Sequence, residues 1–194
     1  LQLYKESKFF AENQAAHRWE KHRGLRELSG KTACIIGTGS VGSAIARRLR
    51  AFDVQTVGIN RSGHPAAEFD QTQPTCRLDD LLPLADLVSC AMPLTAETAG
   101  LFDSVRLAKI KPGAVFVNVA RGKVTYQQAL VEALQSGQLS GAVLDVFEEE
   151  PLPRSSPLWD MEQVILTPHN SFVGEHNGER LFRLFCKNLE SFAQ

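Results

Sequence analysis

Short apolar runs alternate along this chain with segments whose apolar positions recur at helical spacing. The runs Thr32–Ile36, Val54–Gly58, Leu87–Cys90, Ala114–Val119, Gly141–Leu144 and Val164–Leu166 are β-branched and apolar on both faces. That is the pattern of strands in a parallel sheet with helices on each side. Between them, about Val41–Ala51, Leu78–Leu84, Ser104–Ala108 and Tyr126–Ser136 read as helices, and Glu175–Phe192 closes the chain. Leu1 to about Arg23 reads as one more amphipathic helix, ending before Gly24, with Leu1, Tyr4, Phe9, Ala16 and Trp19 among its apolar positions. The alternation predicts an α/β fold, a doubly wound parallel sheet in three α/β/α layers with right-handed crossovers. No repeat, low-complexity stretch or Gly/Ser linker interrupts it, so residues 29–194 read as one domain behind an N-terminal element, 1–28.

One turn in this alternation carries chemistry. Gly37-Thr38-Gly39-Ser40-Val41-Gly42 joins the first strand to the first crossover helix, the layout of a Rossmann-type dinucleotide-binding unit. One glycine makes the tight turn, one lets backbone N–H groups approach a pyrophosphate, and one lets helix and strand pack closely. The helix N-terminus then faces the phosphate charge.

Composition narrows the function further. A net charge of −1 leaves no basic excess for nucleic acid, and 43% hydrophobic residues suffice for a sizeable core. No apolar stretch approaches the ~20 residues of a membrane span, and the N-terminus lacks the pattern of a signal peptide. The only methionines are Met92 and Met161, so the chain reads as a fragment or processed piece, although a trimmed N-terminus would look the same. Cys34, Cys76, Cys90 and Cys186 form no C-x-x-C pair and share no ligand spacing with the five histidines, so no metal site is expected. Reduced structural thiols imply a cytoplasmic setting.

The second strand decides which dinucleotide. It normally ends in an acid that binds the adenosine ribose and repels a 2′-phosphate. Here it runs into Asn60-Arg61-Ser62-Gly63-His64, with no acid before Glu68. Arg61 offers a guanidinium for a 2′-phosphate, with Asn60 and Ser62 as further donors, which favours NADP(H) over NAD(H). The alternative is an exposed loop arginine beside an asparagine that still binds a ribose hydroxyl.

Four later positions bear charge or an imidazole where a strand stops: Arg121, Asp145, Glu150 and His169. In an open α/β sheet, ligands bind beyond the carboxyl ends of the strands, so these residues can converge. Singly, each has a plainer reading. Arg121 before Gly122 fits a loop charge, Glu148-Glu149-Glu150 a solvated acidic run, and His169 after Pro168 a surface turn.

Together with Pro93-Leu94-Thr95-x-x-Thr98, Asn118-Val119-Ala120-Arg121-Gly122, Leu144-Asp145-Val146-Phe147-x-x-Glu150-Pro151 and Thr167-Pro168-His169, the glycine turn resembles the cofactor domain of the D-isomer-specific 2-hydroxyacid dehydrogenases. The resemblance spans essentially the whole chain. It implies that Arg121 binds the carboxylate and carbonyl oxygens of a 2-oxo acid, that His169 is the general acid and base, and that Glu150 orients His169. It further implies that Asp145 holds the nicotinamide carboxamide and that Ser40 and Val41 lie under the pyrophosphate. Ala91, Met92, Pro93 and Thr98 would line the ribose side, and Val119, Ala120, Asn170 and Ser171 would flank the nicotinamide. Leu25, Leu28, Leu181, Leu184, Phe185 and Phe192 read as core or interface.

Members of that family carry a second, flavodoxin-like domain that grips the substrate carboxylate. Only about thirty residues precede the first strand here, and they resemble the helix that links the two domains and helps form the homodimer. The expectation is that the substrate domain is absent from this chain and that the chain alone turns over poorly. Two functions stay open: an oxidoreductase acting on a small 2-oxo or 2-hydroxy acid, such as a glyoxylate or hydroxypyruvate reductase, and a dinucleotide-sensing, corepressor-like binding module.

Overall fold

In the computed structural model, which describes residues 1–192, seven strands form one parallel sheet. In chain order the strands are β1 (Thr32–Ile36), β2 (Gln55–Asn60), β3 (Gln71–Pro74), β4 (Leu87–Cys90), β5 (Ala114–Asn118), β6 (Leu139–Leu144) and β7 (Val164–Leu166). They lie in the order β3-β2-β1-β4-β5-β6-β7. The direction of winding reverses at β1, between β2 and β4, which places a topological switch point beside the glycine turn. The helices are α1 (Ser7–Ala15), α2 (Ser40–Arg50), α3 (Leu78–Leu81), α4 (Ser104–Lys109), α5 (Gln127–Gln135) and α6 (Asn177–Phe192).

Alternation along β1 shows why both faces needed apolar residues. Cys34 and Ile36 enter the larger core with Leu78, Leu82, Leu107 and Leu130 from α3 to α5 and the turn after α3. Ala33 and Ile35 enter the other with Ala46 of α2, Val54 and Phe69. Period-two side chains on a strand buried from both sides yield the three layers expected.

Two expected elements are corrected, and one strand is added. The N-terminal helix is confined to α1, because Glu6 and His17 adopt left-handed backbone, φ 48° and 53°. The apolar residue Tyr4 is instead anchored in the second core at 5% exposure, with the Arg26 guanidinium over its ring at 4.5 Å. The segment Leu78–Leu84 is a short α3 followed by a single 3-10 turn, Leu82–Leu84, where Pro83 has no N–H to continue an α-helix. β3 was not expected, because Gln-Thr-Gln-Pro at a sheet edge has no apolar signature. Other boundaries differ by at most two residues at an end. The strands expected to end at Gly58 and Val119 end at Asn60 and Asn118, and the one expected from Gly141 begins at Leu139.

The apolar face of α6 does not enter the core. Leu181, Leu184, Phe185 and Phe192 are 69%, 55%, 59% and 91% exposed, whereas Leu28 is buried at 7%. No helix among the described residues is long and apolar enough to cross a membrane.

Candidate active site

Parallel pairing brings the ends of six strands into one row. Ile36 pairs with Ile59 and Cys90, Cys90 with Asn118, Asn118 with Leu144, and Leu144 with Leu166. Every loop carrying an expected site residue therefore leaves the sheet on the same edge, however far apart in sequence.

At one end of the row is the glycine turn. Gly37 has φ +105°, and a Cβ there would stand 2.5 Å from the Ala91 carbonyl oxygen. A Cβ on Gly42 would stand 1.8 Å from the Gly37 carbonyl oxygen, so the helix can pack on the strand only without a side chain. Gly39 faces open space and begins α2 without a side-chain cap. The first-turn amides of α2, those of Ser40 and Val41 included, thus meet an open face with their dipole unopposed, a fit for a pyrophosphate.

At the other end, His169 Nδ1 and Glu150 Oε2 are 2.7 Å apart. Of the three consecutive glutamates, Glu150 is positioned by the Phe147 N–H, which donates to its Oε1 at 3.0 Å. A carboxylate only accepts, so Nδ1 carries the hydrogen and Nε2 is left to exchange a proton with a substrate. Beside the pair opens a cavity of about 590 Å³ walled in part by Phe147, Leu152, Trp159, Leu166 and Pro168.

Asp145 sits under the His169 turn. It is 2% exposed and accepts from Thr167 Oγ1 at 2.5 Å, the Asn170 amide at 2.9 Å and the Ser171 amide at 3.0 Å. The His169 amide donates to the Asp145 carbonyl at 2.8 Å, and His169 itself is left-handed at φ 50°. Such a conformation in a non-glycine residue persists only where its surroundings over-determine it. The carboxylate clamps both sides of the histidine turn and keeps about one of its four acceptor positions for a ligand.

Arg121 lies on the same edge, but its Nη1 donates to its neighbour's carbonyl, Ala120 O, at 2.6 Å, and it forms no ion pair among the described residues. Asn118, outside the expected set, holds this loop: its Oδ1 accepts from the Ala120 amide at 3.0 Å and its Nδ2 donates to Arg121 O at 3.1 Å. Gly122 packs so tightly on the Phe147 carbonyl, 1.8 Å from an ideal Cβ, that the Arg121 and Glu150 loops are mated backbone to backbone. The signal was a polar residue closing an apolar strand, in a motif already singled out.

On the adenosine side the Asn60 amide group is engaged internally, donating to Thr38 Oγ1 at 3.2 Å and His64 O at 2.9 Å and accepting from the Gly63 amide at 2.6 Å. It shapes the turn that presents Arg61 and Ser62, both exposed. Met92 is buried in the larger core at 7% exposure, so its side chain faces inward, while Ala91 and Thr98 are half-buried and Pro93 is exposed. Ala120 is buried and Val119 half-buried beside Arg121, and Asn170 and Ser171 are exposed. Among the described residues no cluster of three or more His, Cys, Asp or Glu could hold a metal.

Residues 1–171 match the family described as D-isomer specific 2-hydroxyacid dehydrogenase, NAD binding domain. The chain belongs to this family. It is 40% identical over 166 residues to a glyoxylate reductase of Pyrococcus furiosus, covering 86% of this chain and 49% of that protein. A D-isomer specific 2-hydroxyacid dehydrogenase family protein from Aeromonas salmonicida superposes with a TM-score of 0.90 at 38% identity, over 99% of this chain and 61% of the other. A probable 2-hydroxyacid dehydrogenase from Rhizobium etli, solved with NADP, HEPES and L(+)-tartaric acid, gives 0.87 at 31% identity, over 99% and 61%. The chain spans about half the length of the curated relatives it matches.

The electrostatics of this dehydrogenase domain follow from its bonds. Burial pushes the Glu150 carboxyl up, but the Phe147 amide and His169 outweigh it, so it is held below the usual value. Asp145 is likewise pushed up by burial and pulled down further by Thr167, Ser171 and Asn170. Burial drives the Cys34 thiol up to about 12 and raises Cys90 too, so neither is a thiolate at neutral pH.

A carboxyl depressed on folding adds stability that is full above its unfolded pKa, ~3.9 for Asp, and is lost as pH falls through the folded value. The gap in thermal midpoint between the native protein and Asp145→Asn should therefore be widest near pH 7 and narrow below pH ~4. A gap independent of pH would refute the clamp.

Proposed function

We propose that this chain is the cofactor-binding and catalytic domain of an oxidoreductase that interconverts small 2-oxo acids and D-2-hydroxy acids, with NADP(H) preferred to NAD(H). The observation that carries the reading is the Glu150–His169 pair at 2.7 Å, standing on the same sheet edge as the open glycine turn. The Pyrococcus furiosus glyoxylate reductase supports the substrate class, and the Rhizobium etli complex with NADP supports the cofactor.

Gly37, Gly39, Ser40, Val41 and Gly42 would hold the pyrophosphate, Arg61 and Ser62 the 2′-phosphate, and Ala91, Pro93 and Thr98 the ribose side. Val119, Ala120, Asn170 and Ser171 would flank the nicotinamide, which when bound supplies or accepts the hydride. His169 Nε2 protonates the carbonyl oxygen in reduction and takes the proton back in oxidation. Glu150 fixes the orientation of the ring through Nδ1. Arg121 presents a planar fork to the carboxylate and carbonyl oxygens, a role that needs its guanidinium to turn from Ala120 toward the crevice.

Residues 1–28 are assigned to an interdomain or homodimer contact, a reading that the 97% exposure of Trp19 supports. Sedimentation of the native protein and Trp19→Ser should then differ in mass.

Titration of cofactor fluorescence checks the nucleotide preference. NADPH should bind about tenfold or more tightly than NADH, as expected for a charge-assisted bond to phosphate, and Arg61→Ala should remove most of the difference. Tighter NADH binding by the native protein would sink the preference. If no small 2-oxo acid drives NADPH or NADH oxidation by the whole gene product, the enzymatic reading fails.

A further inference from the structure

Arg61 follows β2, and Glu97 lies in the segment after β4; these strands flank β1 on its two sides. Arg61 Nη2 and Glu97 Oε2 are 3.3 Å apart, so their ion pair spans the crevice beside the glycine turn that β1 feeds. The side chains are 85% and 74% exposed, which gives the pair little part in holding the fold together.

Glu97 is nevertheless carried on a well-defined turn. Thr98 Oγ1 accepts from the Thr95 amide at 2.7 Å and donates to Pro93 O at 2.8 Å, and the Thr98 amide donates to Thr95 O at 3.2 Å. The turn fixes the backbone from which the carboxylate reaches the guanidinium.

A carboxylate and a phosphate group seek the same donors of an arginine fork, and as like charges they repel each other. We propose that Glu97 is a specificity-determining residue. Its carboxylate takes the Arg61 guanidinium in the free protein and has to be displaced by the 2′-phosphate of NADP(H), whereas NAD(H) binds without displacing it. Glu97 thus holds the NADP(H) preference below what Arg61 alone would give. This rests on the reading that Arg61 receives the 2′-phosphate, and the test separates the two.

The experiment measures NADPH and NADH dissociation constants for the native protein, Glu97→Gln, Arg61→Ala and the double variant, at low and at high salt. Glu97→Gln keeps the side chain's shape and removes its charge. It should tighten NADPH binding about three- to fivefold, the scale of an exposed ion pair that no longer has to be displaced, and leave NADH within about twofold. The gain should shrink at high salt, where exposed charges are screened. In the Arg61→Ala background the same change should gain less than about twofold, because no guanidinium is left to compete for.

If Arg61→Ala leaves NADPH affinity unchanged, the reading of Arg61 fails and the proposal falls with it. If Arg61→Ala weakens NADPH but Glu97→Gln does not tighten it, or tightens NADH equally, Arg61 stands and the role of Glu97 is overturned. An equal gain with and without Arg61 would make Glu97 a general source of negative field and would likewise overturn it.

Discussion

Replacing His169 by alanine is expected to lower kcat by about 10²–10⁴ in the whole gene product while leaving the NADPH dissociation constant within about twofold. The size follows from the geometry. The ring is the one titratable group on the candidate edge whose free nitrogen is determined by a partner, Glu150 at 2.7 Å from Nδ1. Alanine removes the proton donor and leaves the Glu150 carboxylate still held by the Phe147 amide at 3.0 Å. The turn itself should survive, because Asp145 holds it through Thr167, Asn170 and Ser171, none of which uses the imidazole. Steady-state reduction of a 2-oxo acid measures kcat, and cofactor fluorescence measures affinity. Residual turnover within tenfold of the native protein would remove His169 from the chemistry. It would revive the reading of the chain as a dinucleotide-sensing module.

The second large effect is expected at the opposite end of the crevice. Gly42→Ala should cost on the order of 4 kcal/mol, placing it among the few substitutions that threaten a fold. For a chain of this length that corresponds to a thermal midpoint lower by roughly 8–16 °C. The cause is backbone against backbone: a Cβ would lie 1.8 Å from the Gly37 carbonyl oxygen, and neither group can rotate away. Gly39→Ala is the contrast. Its φ is −72°, which any residue adopts, and its Cβ would meet nothing within 4 Å. Its midpoint should stay within about 2 °C, while the methyl group on the open face should weaken dinucleotide binding tenfold or more, since close backbone approach is what that glycine permits. Equal losses of stability in the two variants would show that the glycines share one structural role.

The expected strands were legible because burial on both faces favours apolar residues at most positions, a local signal that survives without any knowledge of neighbours. β3 was not legible for the converse reason. Its Gln71 and Thr72 belong to the sheet through pairing with Val57 and Gly58, and an edge position asks little of a side chain. The N-terminal segment misled because apolar spacing registers burial, not continuity. Tyr4 is buried against Arg26 and the second core, outside α1 altogether.

In the candidate site, the residues at strand ends could be found from their place after an apolar run. Their partners could not. Spacing chose Glu150 over Glu148 and Glu149, but the reason for the choice is the Phe147 amide and the His169 ring, 3 and 19 positions away. The position of Asp145 after an apolar run marks it as a site residue but does not reveal the donors that surround it, which come from 22 to 26 positions later. Asn118 carried no charge to draw notice, yet it pins the loop that carries Arg121.

Sequence by itself determined the order of the elements other than β3, the tight turn at Gly37–Gly42 and the polar residues that end the strands, because propensity, periodicity and turn chemistry are local properties. Tertiary structure alone decided which of those residues meet. His169 finds Glu150, Asp145 closes on the loop that carries His169, and Arg61 reaches Glu97 across β1. Those meetings depend on the parallel register that aligns Ile59, Ile36, Cys90, Asn118, Leu144 and Leu166 in one row, and register is set by long-range pairing and packing of the whole sheet.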